Sequence, residues 1–147
     1  NATFIDSEVT LPESERANLA NAGVDTKTRD MVGAPDYLYN IYLSYDYEPF
    51  DTQIGLFYTV KGDTLVVGAG NRNSHYVPDV YATEFGTLNM SVSKKLGKHF
   101  ILAFMAKNLL NPEIEEVYRT PDHLGDEEVK TSYTKGIDFT FSISGAW

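Results

Sequence analysis

Cysteine and long apolar runs are both absent from this chain, and each absence excludes a class of structure. With no Cys, the chain can form neither a disulfide framework nor a thiolate metal site. No stretch reaches about 18 apolar residues, which excludes a transmembrane helix. Membrane-spanning strands are still possible, because they alternate apolar and polar residues. Basic residues are scarce, with 12 Lys and Arg against 21 Asp and Glu, and the formal charge of −9 argues against nucleic acid as a partner.

Aromatic residues, by contrast, are abundant. The 147 residues include ten Tyr and eight Phe but one Trp, and this length suits one domain. Tyr and Phe pack well on the pleated surface of a sheet, whereas helical periodicity is hard to find anywhere in the sequence. The composition therefore predicts an all-β fold.

The clearest pattern is an alternation of apolar and polar residues over the last fifteen positions. Successive side chains of a strand point to opposite faces, so this pattern predicts one long strand with an apolar face and a hydroxylated face. Such a strand suits lipid on one side and a polar interior on the other. The apolar face holds Tyr133, Ile137, Phe139, Phe141, Ile143 and Trp147, and the polar face holds Thr134, Asp138, Thr140, Ser142 and Ser144.

Six extended segments can be marked, at residues 2–11, 36–48, 52–70, 81–97, 99–119 and 129–147. Short connections at 48–51 and 97–98 alternate with long ones at 12–35, 71–80 and 120–128. This sorting is typical of an up-and-down barrel with tight turns on one rim and large loops on the other.

Charge placement supports a lipid-facing surface. The apolar faces of the segments carry almost no charge in mid-strand, where Lys or Arg costs about 2–4 kcal/mol at a bilayer midplane. The alternative is a soluble β-sandwich in which one face of each sheet is exposed to solvent, but that face should carry charged residues in mid-strand. The residues predicted to face lipid are Tyr39, Ile41, Leu43, Ile54, Leu56, Leu88, Met90, Val92, Ile137, Phe139, Phe141 and Ile143.

Several short motifs, taken in order, resemble the end of TonB-dependent outer-membrane receptors. Residues 29–40 (RDMVGAPDYLYN) and 43–45 (LSY) come first, followed by 57–63 (FYTVKGD), 67–68 (VG) and 78–81 (PDVY). The strand 88–96 (LNMSVSKKL) and the motif 107–112 (KNLLNP) follow, and residues 1–8 (NATFIDSE) are also similar to one of the family's strands. The likeness covers nearly the whole chain. It departs from the common pattern at Asn89, where Asp is frequent, and at Trp147, where Phe is commonest.

This resemblance implies that residues 1–147 form the C-terminal part of a 22-stranded transmembrane barrel, contributing its last six or so antiparallel strands. The plug, the other strands and the TonB box would lie outside this chain, which is then a piece of a longer protein. The implied function is active import of a scarce nutrient, such as a metal–siderophore, cobalamin or a glycan, across the outer membrane of a Gram-negative bacterium. The implied partners are the rest of the barrel and plug, the TonB complex, the barrel-assembly machinery and lipid.

Two other functions stay open at this point. One is a passive outer-membrane channel, and the other is a secreted soluble β-domain that binds carbohydrate or protein. No nucleophile elbow or phosphate-binding loop is present, so we expect neither an enzyme nor a cofactor. Acidic residues 113–128 with His123 could bind a hard cation, but their spacing is not that of an EF-hand, and a solvated loop is the simpler interpretation. We predict no metal site.

Two further sets of residues are candidates for specific roles. A polar and aromatic outer loop could hydrogen-bond a ligand, although a loop tip that contacts only water is the alternative. Its residues are Asn71, Arg72, Asn73, His75 and Tyr76. The second set is implied by the resemblance, in which the terminal aromatic strand serves as a barrel-assembly signal. Its residues are Phe139, Phe141, Ile143 and Trp147.

Overall fold

A computed structural model describes residues 1–21, 23–73, 75–120 and 127–145 of the chain. Antiparallel strands make up most of it, which confirms the all-β prediction. In chain order the elements are β1 (Ala2–Phe4), β2 (Glu8–Thr10), α1 (Glu13–Ala20), β3 (Thr28–Asp30), β4 (Tyr37–Tyr47), a 3-10 helix (Glu48–Phe50), β5 (Thr52–Lys61), β6 (Thr64–Val67), β7 (Gly70–Arg72), β8 (His75–Val77), β9 (Asp79–Ala82), β10 (Phe85–Leu96), β11 (Phe100–Lys107), β12 (Glu113–Arg119), β13 (Glu128–Thr134) and β14 (Asp138–Gly145).

The largest sheet has six antiparallel strands in the order β1-β4-β5-β10-β11-β14. Both predicted short connections are tight turns in this sheet. The β4–β5 turn is the 3-10 helix followed by Asp51 in a left-handed conformation (φ 46°), and the β10–β11 turn has Gly97 at φ 65°. We call this end of the sheet the turn end and the opposite end the loop end. Within the described residues the sheet is open, with β1 and β14 as its edges, and no closed barrel forms.

A second sheet, ordered β13-β12-β9-β6, continues the long strands beyond the loop end. The expectation of unbroken segments at 52–70, 81–97, 99–119 and 129–147 was therefore wrong, since each of them is divided between the two sheets. The first break falls at residues 62–63, between β5 and β6. A Cβ at residue 62 would lie 2.9 Å from the ring of Tyr37, so Gly62 leaves room for that ring.

The break between β11 and β12 is the KNLLNP motif, and asparagine side chains hold it. Asn108 and Asn111 adopt left-handed conformations (φ 58° and 42°), which Asn tolerates better than most residues. The Asn108 backbone N–H donates to Asn89 Oδ1 at 2.9 Å, and its Nδ2 donates to the Gly136 carbonyl at 2.6 Å. Asn111 Oδ1 accepts from the Gly136 N–H at 2.9 Å. The motif thus ties β10, β11 and the β13–β14 connection together.

The predicted first loop, residues 12–35, contains regular structure that the sequence did not reveal. It holds α1 and β3, and β3 pairs with β2 rather than leaving residues 2–11 as one strand. Glu13 and Glu15 lie in the first turn of α1, where they interact favourably with the helix dipole. No helix in the described part of the chain has the length and hydropathy of a membrane span.

The sealed apolar core lies at the loop end. Leu11, Leu19 and Ala69 form a buried cluster, against which Val24 and Tyr76 pack. Leu65, Val80, Ile114 and Val117 are buried within the second sheet. In the six-stranded sheet, by contrast, the buried large side chains are few, and most of β4 and all of β14 are exposed. Among the residues that the structure describes, no second layer packs against that sheet, as a β-sandwich would require.

Candidate functional site

The six-stranded sheet has one continuous apolar face. Directly opposed residues in antiparallel strands share a face, and the observed register aligns the apolar positions of neighbouring strands in rows. The rows, which we call the apolar face, are Ile41–Tyr58–Leu88, Leu43–Leu56–Met90–Ala106–Phe139, Tyr45–Ile54–Val92–Phe104–Phe141 and Tyr47–Thr52–Lys94–Leu102–Ile143. Lys94 is the one charged residue in these rows, and it lies near the turn end.

The apolar face is also open. Leu43 is 61% exposed, Phe139 65% and Phe141 69%. The predicted lipid-facing residues of the strands therefore share one exposed face, and Tyr39 continues it towards the loop end opposite Val60. Ile137 precedes β14 and is 42% exposed, so it lies outside the strand assigned to it. An exposed apolar surface of this kind usually marks contact with a membrane or another protein.

The opposite face is small and hydroxylated over much of its area. Its rows include Ser44–Gly55–Ser91–Met105–Thr140 and Asp46–Gln53–Ser93–Ala103–Ser142. We call it the hydroxyl face. Asn40 Oδ1 accepts from Thr59 Oγ1 at 2.9 Å, and Asn40 Nδ2 donates to Asn1 Oδ1 at 3.0 Å, so polar side chains join β4 to β5 and to the residue before β1.

One aromatic pair interrupts the hydroxyl face. The rings of Tyr42 and Phe57 stack with centroids 4.5 Å apart and an interplanar angle of 24°. Both are exposed. Gly55 lies beneath them, because a Cβ at that position would be 3.4 Å from Phe57 and 3.6 Å from Tyr42. Tyr42 lies on this face because it alternates with Ile41 and Leu43 along β4, and the register places it opposite Phe57.

At the loop end, charged side chains from distant segments form a network around Tyr81. The Tyr81 hydroxyl donates to Asp30 Oδ2 at 2.7 Å, and the Arg119 guanidinium lies 4.5 Å from the centre of the Tyr81 ring. Arg119 also pairs with Asp63 and with Glu127, each at 2.8 Å. Tyr81 therefore joins the first loop to the second sheet.

Arg29 extends this network towards α1. Its Nη1 lies 2.6 Å from Glu15 Oε1, and the guanidinium covers Gly68 so closely that a Cβ there would be 2.2 Å from Nη1. Asp79 accepts the Ala69 N–H at 2.6 Å. These contacts connect α1 and β3 to the end of β6 and the start of β9.

The network perturbs the acidity of its members. Burial raises the pKa of Asp79, and the Ala69 N–H and Arg29 oppose that rise. Burial also raises the pKa of Asp36, which the carboxylates of Asp30 and Asp63 raise further. The pKa of Tyr81 is raised by burial and by its hydrogen bond to Asp30. The network therefore places partly desolvated carboxyl groups close together.

A cavity of about 240 Å³ opens within this network, lined by Leu11, Leu19, Thr26, Thr28, Arg29, Asp30, Ala69, Asp79, Tyr81, Arg119 and Thr120. Its two guanidinium groups already pair with carboxylates. Among the described residues no group of three or more His, Asp and Glu side chains is placed to hold a metal ion. Of the acidic stretch considered for a cation, positions 121–126 lie outside the described residues.

The predicted ligand loop is the β7–β8 hairpin. Asn71 opposes Tyr76 and Arg72 opposes His75, with Asn73 at the tip in a left-handed conformation (φ 52°). The hairpin brings the five residues together, and four of them are exposed. Tyr76 differs, because its ring packs against the cluster of Leu11, Leu19 and Ala69 and so helps to anchor the hairpin.

The predicted assembly signal is placed in part. Phe139, Phe141 and Ile143 lie on the exposed apolar face of β14, which pairs with β11 along its whole length. Trp147 lies outside the described residues. In comparisons with protein-family models, curated proteins and solved structures, the chain matched none.

Proposed function

We propose that this chain forms the last part of the barrel wall of a TonB-dependent outer-membrane transporter, with lipid against the apolar face and the barrel interior against the hydroxyl face. The observation that supports this most strongly is the alignment of apolar residues across five neighbouring strands. Alternation within one strand is common, but the register here aligns the apolar rows of five strands on the same side. A transmembrane barrel wall requires that agreement.

The open edges of the sheet fit the same proposal. β14 and β1 each present one side without a strand partner among the described residues, and exposed edges invite association with other strands. In the proposed barrel, further strands of the parent protein cover both edges. The loop-end network then lies on the outer side of the membrane, together with the β7–β8 hairpin.

Spin labels provide a direct test of the two faces. Since the chain has no Cys, single cysteines at Met90, Ser91, Val92 and Ser93 can each carry a nitroxide in the protein expressed from its own gene. In isolated outer membranes we expect oxygen to relax the labels at 90 and 92, and a polar nickel complex to relax those at 91 and 93. Four labels with the same accessibility to the nickel complex would refute the proposal.

Transport needs a separate measurement. Cells that lack the gene should take up less of one radiolabelled scarce nutrient, such as a metal–siderophore, cobalamin or a glycan, and an uncoupler of the proton-motive force should remove the difference from wild type. Uptake that depends on the gene but not on the proton-motive force would point instead to a passive channel.

A further inference from the structure

The strands β10 and β11 and the turn between them contain no carboxylate. Residues 85–112 hold no Asp or Glu, in a chain with 21 of them. The same stretch carries four lysines, and Lys94, Lys95 and Lys98 lie together at the turn end with His99 beside them. A protein of net charge −9 therefore has a local positive patch where the apolar face ends.

Lys94 extends from the apolar face itself. Its row neighbours are Thr52 and Leu102, and its Nζ lies 5.2 Å from the centre of the Phe50 ring in the adjacent turn. A lysine beside an aromatic ring at the border of an apolar surface can keep its stem on that surface and its ammonium group in a polar layer.

Lys98 lies at the tip of the β10–β11 turn and is exposed. The row Leu96–Phe100–Gly145 continues the apolar face from Lys94 to this turn, and Leu96 and Phe100 are both exposed. Positive charge and exposed apolar side chains therefore occur together at this end of the apolar face. That combination suits an amphiphile with a negative head.

The acids at this end of the sheet lie at or beside the other turn and line a groove with Lys95. Lys95 lies on the hydroxyl face, and the acids of that groove are Asp46, Glu48 and Asp51. Among the described residues no ion pair joins a carboxylate to the amine of Lys94 or Lys98. Two positive charges are thus left at the border of the apolar face.

We propose that the turn end of the apolar face binds the phosphate headgroup of an anionic phospholipid through Lys94 and Lys98, with the acyl chains lying along the apolar face. This inference rests on the proposed function, since it needs lipid on that face. Continuity with the apolar face favours a lipid over a free phosphate ion, because a free ion would leave the exposed side chains of Leu96 and Phe100 uncovered.

The test uses the protein from its own gene, reconstituted into phosphatidylcholine vesicles with traces of spin-labelled phosphatidylglycerol or phosphatidylcholine. The measured quantity is the fraction of each label that is immobilised at the protein surface. We expect wild type to prefer phosphatidylglycerol, and the double variant K94Q/K98Q to lose up to about five-fold of that preference per lysine. The matched control K61Q/K107Q removes two charges at the loop end and should keep it.

Each outcome bears on a different claim. An unchanged preference in K94Q/K98Q, or an equal loss in K61Q/K107Q, would overturn the assignment to this patch. Inorganic phosphate at constant ionic strength should not reduce the preference, and competition by it would show a site for a free ion. If neither lipid label is immobilised by wild type, the protein is not in the bilayer and the proposed function itself fails.

Discussion

Replacing Leu43 by Arg is a test that distinguishes an apolar face covered by lipid from one exposed to water. Leu43 lies in the middle of the apolar face of β4, with Ile41 on one side and Tyr45 on the other, and it is 61% exposed. In water, a substitution at so exposed a position should change the free energy of unfolding by about 0.5 kcal/mol or less. On a lipid-facing strand near the bilayer midplane, Arg should cost about 2–4 kcal/mol.

The neighbouring residue provides the matched control. Ser44 is also exposed but lies on the hydroxyl face, opposite Gly55. Urea titration of the protein in vesicles, followed by circular dichroism, gives the free energy of unfolding for L43R, S44R and wild type. We expect L43R to lose at least about 2 kcal/mol more than S44R. Losses that agree within about 0.5 kcal/mol would refute the assignment of lipid to this face.

Three further predictions concern the loop end and the strand breaks, and the same titration checks them. G68A should lose about 0.5–1 kcal/mol, because its Cβ would lie 2.2 Å from Arg29 Nη1 and would move that guanidinium away from Glu15; a Cβ at Gly70 has nothing within 4 Å, so G70A is the control. N108A should lose about 2 kcal/mol, because Ala disfavours the left-handed backbone and cannot make the hydrogen bond to Gly136. N108G also lacks the hydrogen bond but tolerates that backbone, so it should lose less. Equal losses for the two variants would show that the left-handed conformation contributes nothing. Burial raises the pKa of Asp79, so its charged form destabilises the fold above that raised pKa, and the effect fades as the pH falls to the ordinary value of 3.8. The gain of D79N over wild type should therefore be larger at pH 7 than at pH 3.5, and a difference independent of pH would contradict the burial argument.

The faces of the long strands could be predicted because alternation is a local signal. Residues 88–96 and 138–145 show their period of two without reference to any other part of the chain, and the observed register places Met90 and Phe139 in one row as that period requires. The two short turns were also predictable. Gly97 supplies the left-handed residue that a three-residue turn needs, and Pro49 favours a tight turn.

The loop end could not be predicted, because its order depends on contacts between distant residues. Tyr81 and Asp30 are 51 positions apart, and the cluster that buries Leu19 includes Ala69 from a distant segment. α1 has a weak apolar stripe, so its helical period does not stand out from the sequence. Tyr76 looked like a residue of a ligand loop for the same reason, since nothing nearby in sequence shows that it packs on a buried cluster.

The two parts of the molecule are stabilised in different ways, and this difference bears on the proposed function. The loop end has a sealed core around Leu65 and Val117 and a network of ion pairs around Arg119. The six-stranded sheet has aligned rows of large apolar side chains, and no layer formed by the described residues covers them. Since the free energy of burying such side chains is gained only where water is excluded, the sheet depends on a covering from outside the described residues. The nearly charge-free face, with its one lysine at the border, is the face that hydrocarbon would cover.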